Sequence, residues 1–148
     1  MFAPSREQVA VALFSLLASV QGIAFASRRP QLWSSSVNMP ALYLGNPQED
    51  YVYEHGTSMP PTVKLSFDAF LYITTSDDLT ITPDTQMNTL LDAIEAALAP
   101  VPTGLPNPTQ TLGGIVNHAW IEGAVHRAPG YLSGQGMALF TINVLCPQ

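Results

Sequence analysis

From Thr62 to Thr75 apolar and other side chains alternate without a break. Val63, Leu65, Phe67, Ala69, Leu71 and Ile73 fall on one side of an extended chain; Lys64, Ser66, Asp68, Phe70, Tyr72 and Thr74 fall on the other. A side-chain period of two predicts a β-strand with one face on a core. Phe70 and Tyr72 make the second face partly apolar, so that face meets either solvent or an interface.

The rest of the chain arranges itself around this strand. Ser5 and Gln8 fit a capping box, and Val9, Leu13, Leu16, Leu17 and Val20 recur at helical spacing. This predicts an amphipathic helix over Arg6 to Val20, ended near Gly22, with Val11 and Phe14 widening its apolar face toward a second contact. Ile23 to Arg28 reads as a short strand broken by Arg29-Pro30. Ala41 to Leu44 reads as another, closed by Gly45-Asn46-Pro47, and Tyr51 to His55 as a third, before the rigid Met59-Pro60-Pro61. Pro83 sits at the first position of a second helix, lined by Met87, Leu90, Leu91, Ile94 and Leu98 and stopped by Pro100. Pro100 to Pro108 reads as an extended or mobile loop. Ile115 to Val125 and Met137 to Cys146 complete the strands. The expected class is α+β: an antiparallel (mixed) sheet with two helices packed on one face.

The 148 residues fit one domain, 1–148, and are enough to bury a core without staples. Charged residues are 11 % of the chain, against about 25 % in an ordinary protein. That deficit leaves uncharged surface of the kind a partner covers; a surface of Ser, Thr, Asn and Gln accounts for it equally well. Net charge is −6 with five Lys plus Arg, too few cations to grip phosphates over a broad surface. The single cysteine, Cys146, excludes an intrachain disulfide and is expected in the core. The run Val9 to Val20 followed by Ala24-Phe25-Ala26 has the outline of a secretion signal. Glu7 and the Gln21-Gly22 interruption argue against it, so the segment is expected to stay as part of the fold. The run is also shorter than the ~20 apolar residues of a membrane span, and no membrane partner is expected.

The residues that do chemistry do not converge. His118, Glu122 and His126 are expected on one strand face, but a strand advances about 3.3 Å per residue, which spreads them too far for one ion. Asp77-Asp78 reads as a turn with anions near a helix entrance rather than a cation site. No nucleophile elbow or phosphate-binding glycine loop is present; Leu112-Gly113-Gly114-Ile115 is a turn into a strand. No catalytic residue, cofactor site or metal site is assigned, and no enzymatic activity is expected. Trp and Arg are the residues that anchor protein interfaces. Arg28, Arg29 and Trp33 after the first strand, and His118, Trp120 and Glu122 on one face of a later one, form the candidate oligomer or partner interface. Each Trp has the alternative of packing its own core.

Several segments, in order along nearly the whole chain, resemble the tail terminator or tail-completion proteins of tailed bacteriophages. They are Ser5-Arg6-Glu7-Gln8 through Leu16-Leu17, Ser27-Arg28-Arg29-Pro30 with Trp33, Met39-Pro40-Ala41-Leu42-Tyr43-Leu44, and Leu90-Leu91-Asp92-Ala93-Ile94-Glu95-Ala96-Ala97-Leu98. Gln110-Thr111-Leu112-Gly113-Gly114 and His118-Ala119-Trp120-Ile121-Glu122-Gly123 complete the set. The stretch Asn46 to Pro61 departs from the family. The resemblance implies a small α+β virion subunit that assembles in the bacterial host cytoplasm and closes into a ring, commonly a hexamer. The ring caps the tail tube, stops its polymerisation and presents a surface to head-completion or neck proteins. Genomic DNA would pass through the channel without specific binding. Its partners would be itself, the tube protein and neck proteins. A head–tail connector or stopper of the neck is the alternative reading, ahead of a small ligand-binding module or enzyme. The Pro-rich segments Asn46 to Pro61 and Pro100 to Pro108 are expected to face partners.

Overall fold

A computed structural model describes residues 4–33, 38–52, 62–74, 82–101, 108–128 and 134–146. Helix α1 spans Arg6–Ala18, strand β1 Phe25–Ser27 and β2 Ala41–Val52; β3 spans Thr62–Thr74, α2 Pro83–Ala97, β4 His118–Ala128 and β5 Gln135–Cys146. The strands form one mixed sheet in the order β1-β2-β3-β5-β4. β1 runs parallel to β2; every other pairing is antiparallel. The fold is α+β, as the element pattern predicts.

Both helices cover one face of the sheet. Val9, Leu13 and Leu17 from α1 and Met87, Leu90 and Ile94 from α2 join Leu42, Leu71, Phe140, Ile142 and Val144 in one buried cluster. The alternation of β3 is realised from Leu65 onward: Leu65, Phe67, Ala69, Leu71 and Ile73 are buried on this side, Val63 is half-buried against them, and Tyr72 is buried on the other face. Cys146 is buried too, and burial, followed by the charge of Glu49, pushes its thiol pKa up.

The Ser5–Gln8 capping box opens α1 with both reciprocal bonds present. The helix is less amphipathic than its spacing suggests, because apolar residues surround most of it. Val11 is left 47 % exposed while Leu13 and Leu17 are fully buried. The Val9 to Val20 run is therefore core-forming, and Phe25-Ala26 lies inside β1.

Two expected boundaries are corrected. Gly45-Asn46-Pro47 does not close a strand, and Tyr51 does not open a separate one: both lie within the twelve-residue β2. Gly45 pairs with Asp68 and Gln48 with Ser66, so one extra residue bulges out of the ladder, with Asn46 at a φ of 50°. The bulge takes up the proline's missing donor, and Asn tolerates the left-handed backbone. Residues 46–52 are accordingly strand rather than loop; 53–61 lie outside the described residues. The fourth strand begins at His118 rather than Ile115, because residues 112–115 form a turn in which Leu112, Gly113 and Gly114 all have positive φ. Asp77-Asp78 and 102–107 also lie outside the described residues. The ends of the proline-rich loop are tied by the Val101 N–H donating to the Thr109 carbonyl (3.2 Å).

Candidate functional site

Among the described residues no helix lies over the second face of the sheet. Cross-strand register assigns its occupants. Lys64, Ser66, Asp68, Phe70 and Tyr72 of β3 stand beside Leu145, Asn143, Thr141, Leu139 and Met137 of β5, and these beside His118, Trp120, Glu122 and His126 of β4. Between Glu122 and His126 the β4 register shifts, with Gly123 at a φ of 80°.

One part of this face is covered by the chain itself. The strap that follows β1 crosses β2, with the Pro30 ring against Gly45, where an added Cβ would lie 2.6 Å from Pro30 Cγ. The Tyr72 hydroxyl donates to the Gln31 carbonyl (2.8 Å), and the Trp33 indole N–H donates to the Ile73 carbonyl (2.9 Å). Trp33 and Met39 pack on the buried Ala41–Tyr43–Tyr72 cluster. Burial raises the Tyr72 pKa, aided by the charge of Tyr43. Of the two tryptophans, Trp33 thus takes the alternative of packing within its own domain. Arg28 pairs with Glu7 at the start of α1, on the helix side. Arg29 is exposed, with its N–H bonded to Ser27 Oγ (3.1 Å). The candidate set is therefore split, with Arg28, Arg29 and Trp33 on the segment that follows β1 and His118, Trp120 and Glu122 on the edge strand β4.

The remainder of the face, over β5 and β4, is open. Met137 is 39 % exposed, and Phe70, Leu139, Leu145 and Trp120 are half-buried. Trp120 stacks on His118 with ring centroids 5.0 Å apart and planes 18° apart. His118 is held in turn, since its Nδ1 accepts the Gln110 N–H (3.1 Å). Gln110 reaches the other way, its side-chain amide donating to the carbonyls of Ala97 (3.4 Å) and Ala99 (2.9 Å) at the end of α2. Glu122 accepts from the Asn143 amide, whose oxygen accepts from Ser66 Oγ (2.7 Å). Asn143 is 2 % exposed with both ends of its amide occupied, which fixes Glu122 next to Trp120.

No family model matches the chain, and no curated protein sequence matches it.

The arrangement is an anchored, flat surface with an aromatic and aliphatic centre. Among the described residues no three His, Cys, Asp or Glu side chains gather as metal ligands. Nothing in the sequence pattern singles out Asn143, Ser66, Met137 or Leu139 as companions of Trp120. Their even spacing puts them on a strand face, but only the pairing of three strands places them together. No described helix is long and apolar enough to cross a membrane.

Proposed function

We propose that this chain is a structural subunit of a bacteriophage tail, a terminator-like protein that assembles as a ring on the end of the tail tube. The observation that carries the reading is the open half of the sheet face. Trp120, Leu139, Met137 and Phe70 stand on paired strands, with Asn143 and Gln110 fixing the polar groups at the margin. A rigid apolar centre with a satisfied polar rim is how protein interfaces are built. The resemblance in chain order described above gives that interface its setting, and the low charged fraction agrees with it.

A ring of identical subunits needs two different patches per subunit, joined by a rotation that closes. Its work is geometric: it covers the growing end of the tube, offers a second surface to neck proteins, and leaves a channel. A net charge of −6 favours DNA passage, because phosphates are repelled from an acidic wall.

The test is to purify the protein and add it to assembling tail tubes. Electron microscopy and mass measurement should find a closed oligomer on tube ends and tubes of arrested length. A subunit that never oligomerises on tubes, and leaves their growth unchanged, overturns the reading.

A further inference from the structure

The ring reading leaves open which surfaces meet, and the strap and the β4 edge supply a specific pair. Three strands lie between β1 and β4, which sets those two strands roughly 19 Å apart at the usual spacing. The strap after β1 exposes Arg29 and Leu32 (73 %), and Phe25 of β1 is 39 % exposed. The strap is not loose: Pro30 seated on Gly45 and Gln31 bonded to Tyr72 hold the two residues between Arg29 and Leu32.

At the β4 edge a groove of about 460 Å³ lies between the end of α2 and the strand, lined by Glu95, Leu98, Pro100, Trp120, Ile121 and Val125 among others. Its apolar lining includes Val125, 38 % exposed. Glu95 stands at its rim, with Asp92 one turn back on the same helix; both are exposed.

The charges of the strap and of the groove are complementary. Arg6, Arg28, Lys64 and Arg127 each pair with an acid of the same chain: Glu49, Glu7, Asp50 and Asp84. Among the described residues Arg29 is the one cation without an ion pair, and Glu95 and Asp92 are acids without one. A strap with an exposed Leu32 and a lone cation lies across β2, and an apolar groove with a lone carboxylate at its rim lies at the β4 edge. This is the pair of unlike surfaces that a head-to-tail contact requires.

We infer that a second copy of this chain occupies the groove. Leu32 of one subunit packs against Trp120 and Val125 of the next, and Arg29 pairs with Glu95. The inference rests on the ring reading and names its contact. Both side chains are exposed and neither forms an ion pair among the described residues, so reversing either charge leaves the fold intact, which a thermal melt checks.

The experiment uses the full chain, alone at raised concentration and on tail tubes, with native mass spectrometry and sedimentation as readouts. Arg29→Glu and Glu95→Arg should each weaken assembly by about tenfold or more, because like charges then face each other. The double variant should assemble again. Mixing the two single variants should also restore closed rings, containing equal numbers of each, since every contact in an alternating ring is again complementary. If either reversal lowers the melting temperature, Arg29→Ala and Glu95→Gln serve instead, with a smaller loss that higher salt reproduces in the wild type. If the wild type forms rings and the reversals change nothing, or the double variant and the mixture stay dissociated, the contact is wrong while the ring stands. If the wild type forms no ring under any of these conditions, the contact and the ring reading fall together.

Discussion

Glu7 and Glu49 each take a guanidinium from a distant part of the chain, Arg28 and Arg6 respectively. Hydrogen bonding to that partner, followed by its charge for Glu7 and opposed by desolvation for Glu49, holds both carboxyl groups below the ordinary carboxylate range. A folded-state pKa below the unfolded one means the pairs contribute above the ordinary range and are lost as pH falls through the depressed values. Glu7→Gln with Glu49→Gln should therefore flatten the acid limb of a stability-against-pH curve and leave the alkaline limb unchanged. Both pairs are exposed, so the effect at neutral pH is small. The tryptophans should separate cleanly. Trp33→Phe removes the donor to the Ile73 carbonyl and should cost about 1–3 kcal/mol in urea unfolding, with ring assembly intact. Trp120→Ala should leave the subunit folded, being half-buried on the open face, and abolish assembly on tubes. A Trp120→Ala chain that unfolds instead would make Trp120 a core residue. Cys146 should resist thiol reagents at neutral pH until the chain unfolds, because its thiolate is both buried and disfavoured.

Among the elements, β2 shows how one strand holds two irregularities. Its bulge at Asn46 lets the ladder to β3 continue through a proline, and Gly45 just before it receives Pro30. Gly45→Ala should push the strap off the sheet, costing about 1–3 kcal/mol and loosening Arg29 and Leu32, which proteolysis within the strap would report. The central strands carry most of the core, with β5 between β3 and β4. Phe140→Ala, at a position 1 % exposed, should destabilise by about 3–5 kcal/mol. α1 is legible in the sequence through its capping box, but not in its orientation, since a helix apolar nearly all round does not say which side is buried. β2 is legible only in halves, because Gly-Asn-Pro is turn chemistry in isolation, and only pairing with Ser66 and Asp68 makes it a bulge.

At the scale of the whole molecule, a chain with five basic residues spends four of them in internal ion pairs. What remains outside is predominantly acidic. The isolated protein should therefore not retard duplex DNA in a gel even at low salt, where sequence-independent binding is strongest. Retardation that weakens with added salt would contradict an acidic channel. Helices on one face and a partly bare sheet on the other also make the subunit two-sided, so a partner on the open face would meet strands rather than helices.

The α+β class, the six-residue core stripe of β3, the capped start of α1 and the proline start of α2 were determined by the sequence, because each depends on spacing or turn chemistry within a few residues. The sequence also put His118, Trp120 and Glu122 on one face, since a strand's period of two is local. Tertiary structure alone decided the rest. It folded the strap over Tyr43 and Tyr72, so that Trp33 packs inward while Arg29 stays free, and it set Asn143 between Ser66 and Glu122. It also placed β1 and β4 at opposite edges of the sheet. Strand order and cross-strand neighbours are long-range pairings, chosen by the total burial of a five-stranded sheet under two helices. No stretch of sequence carries that choice by itself.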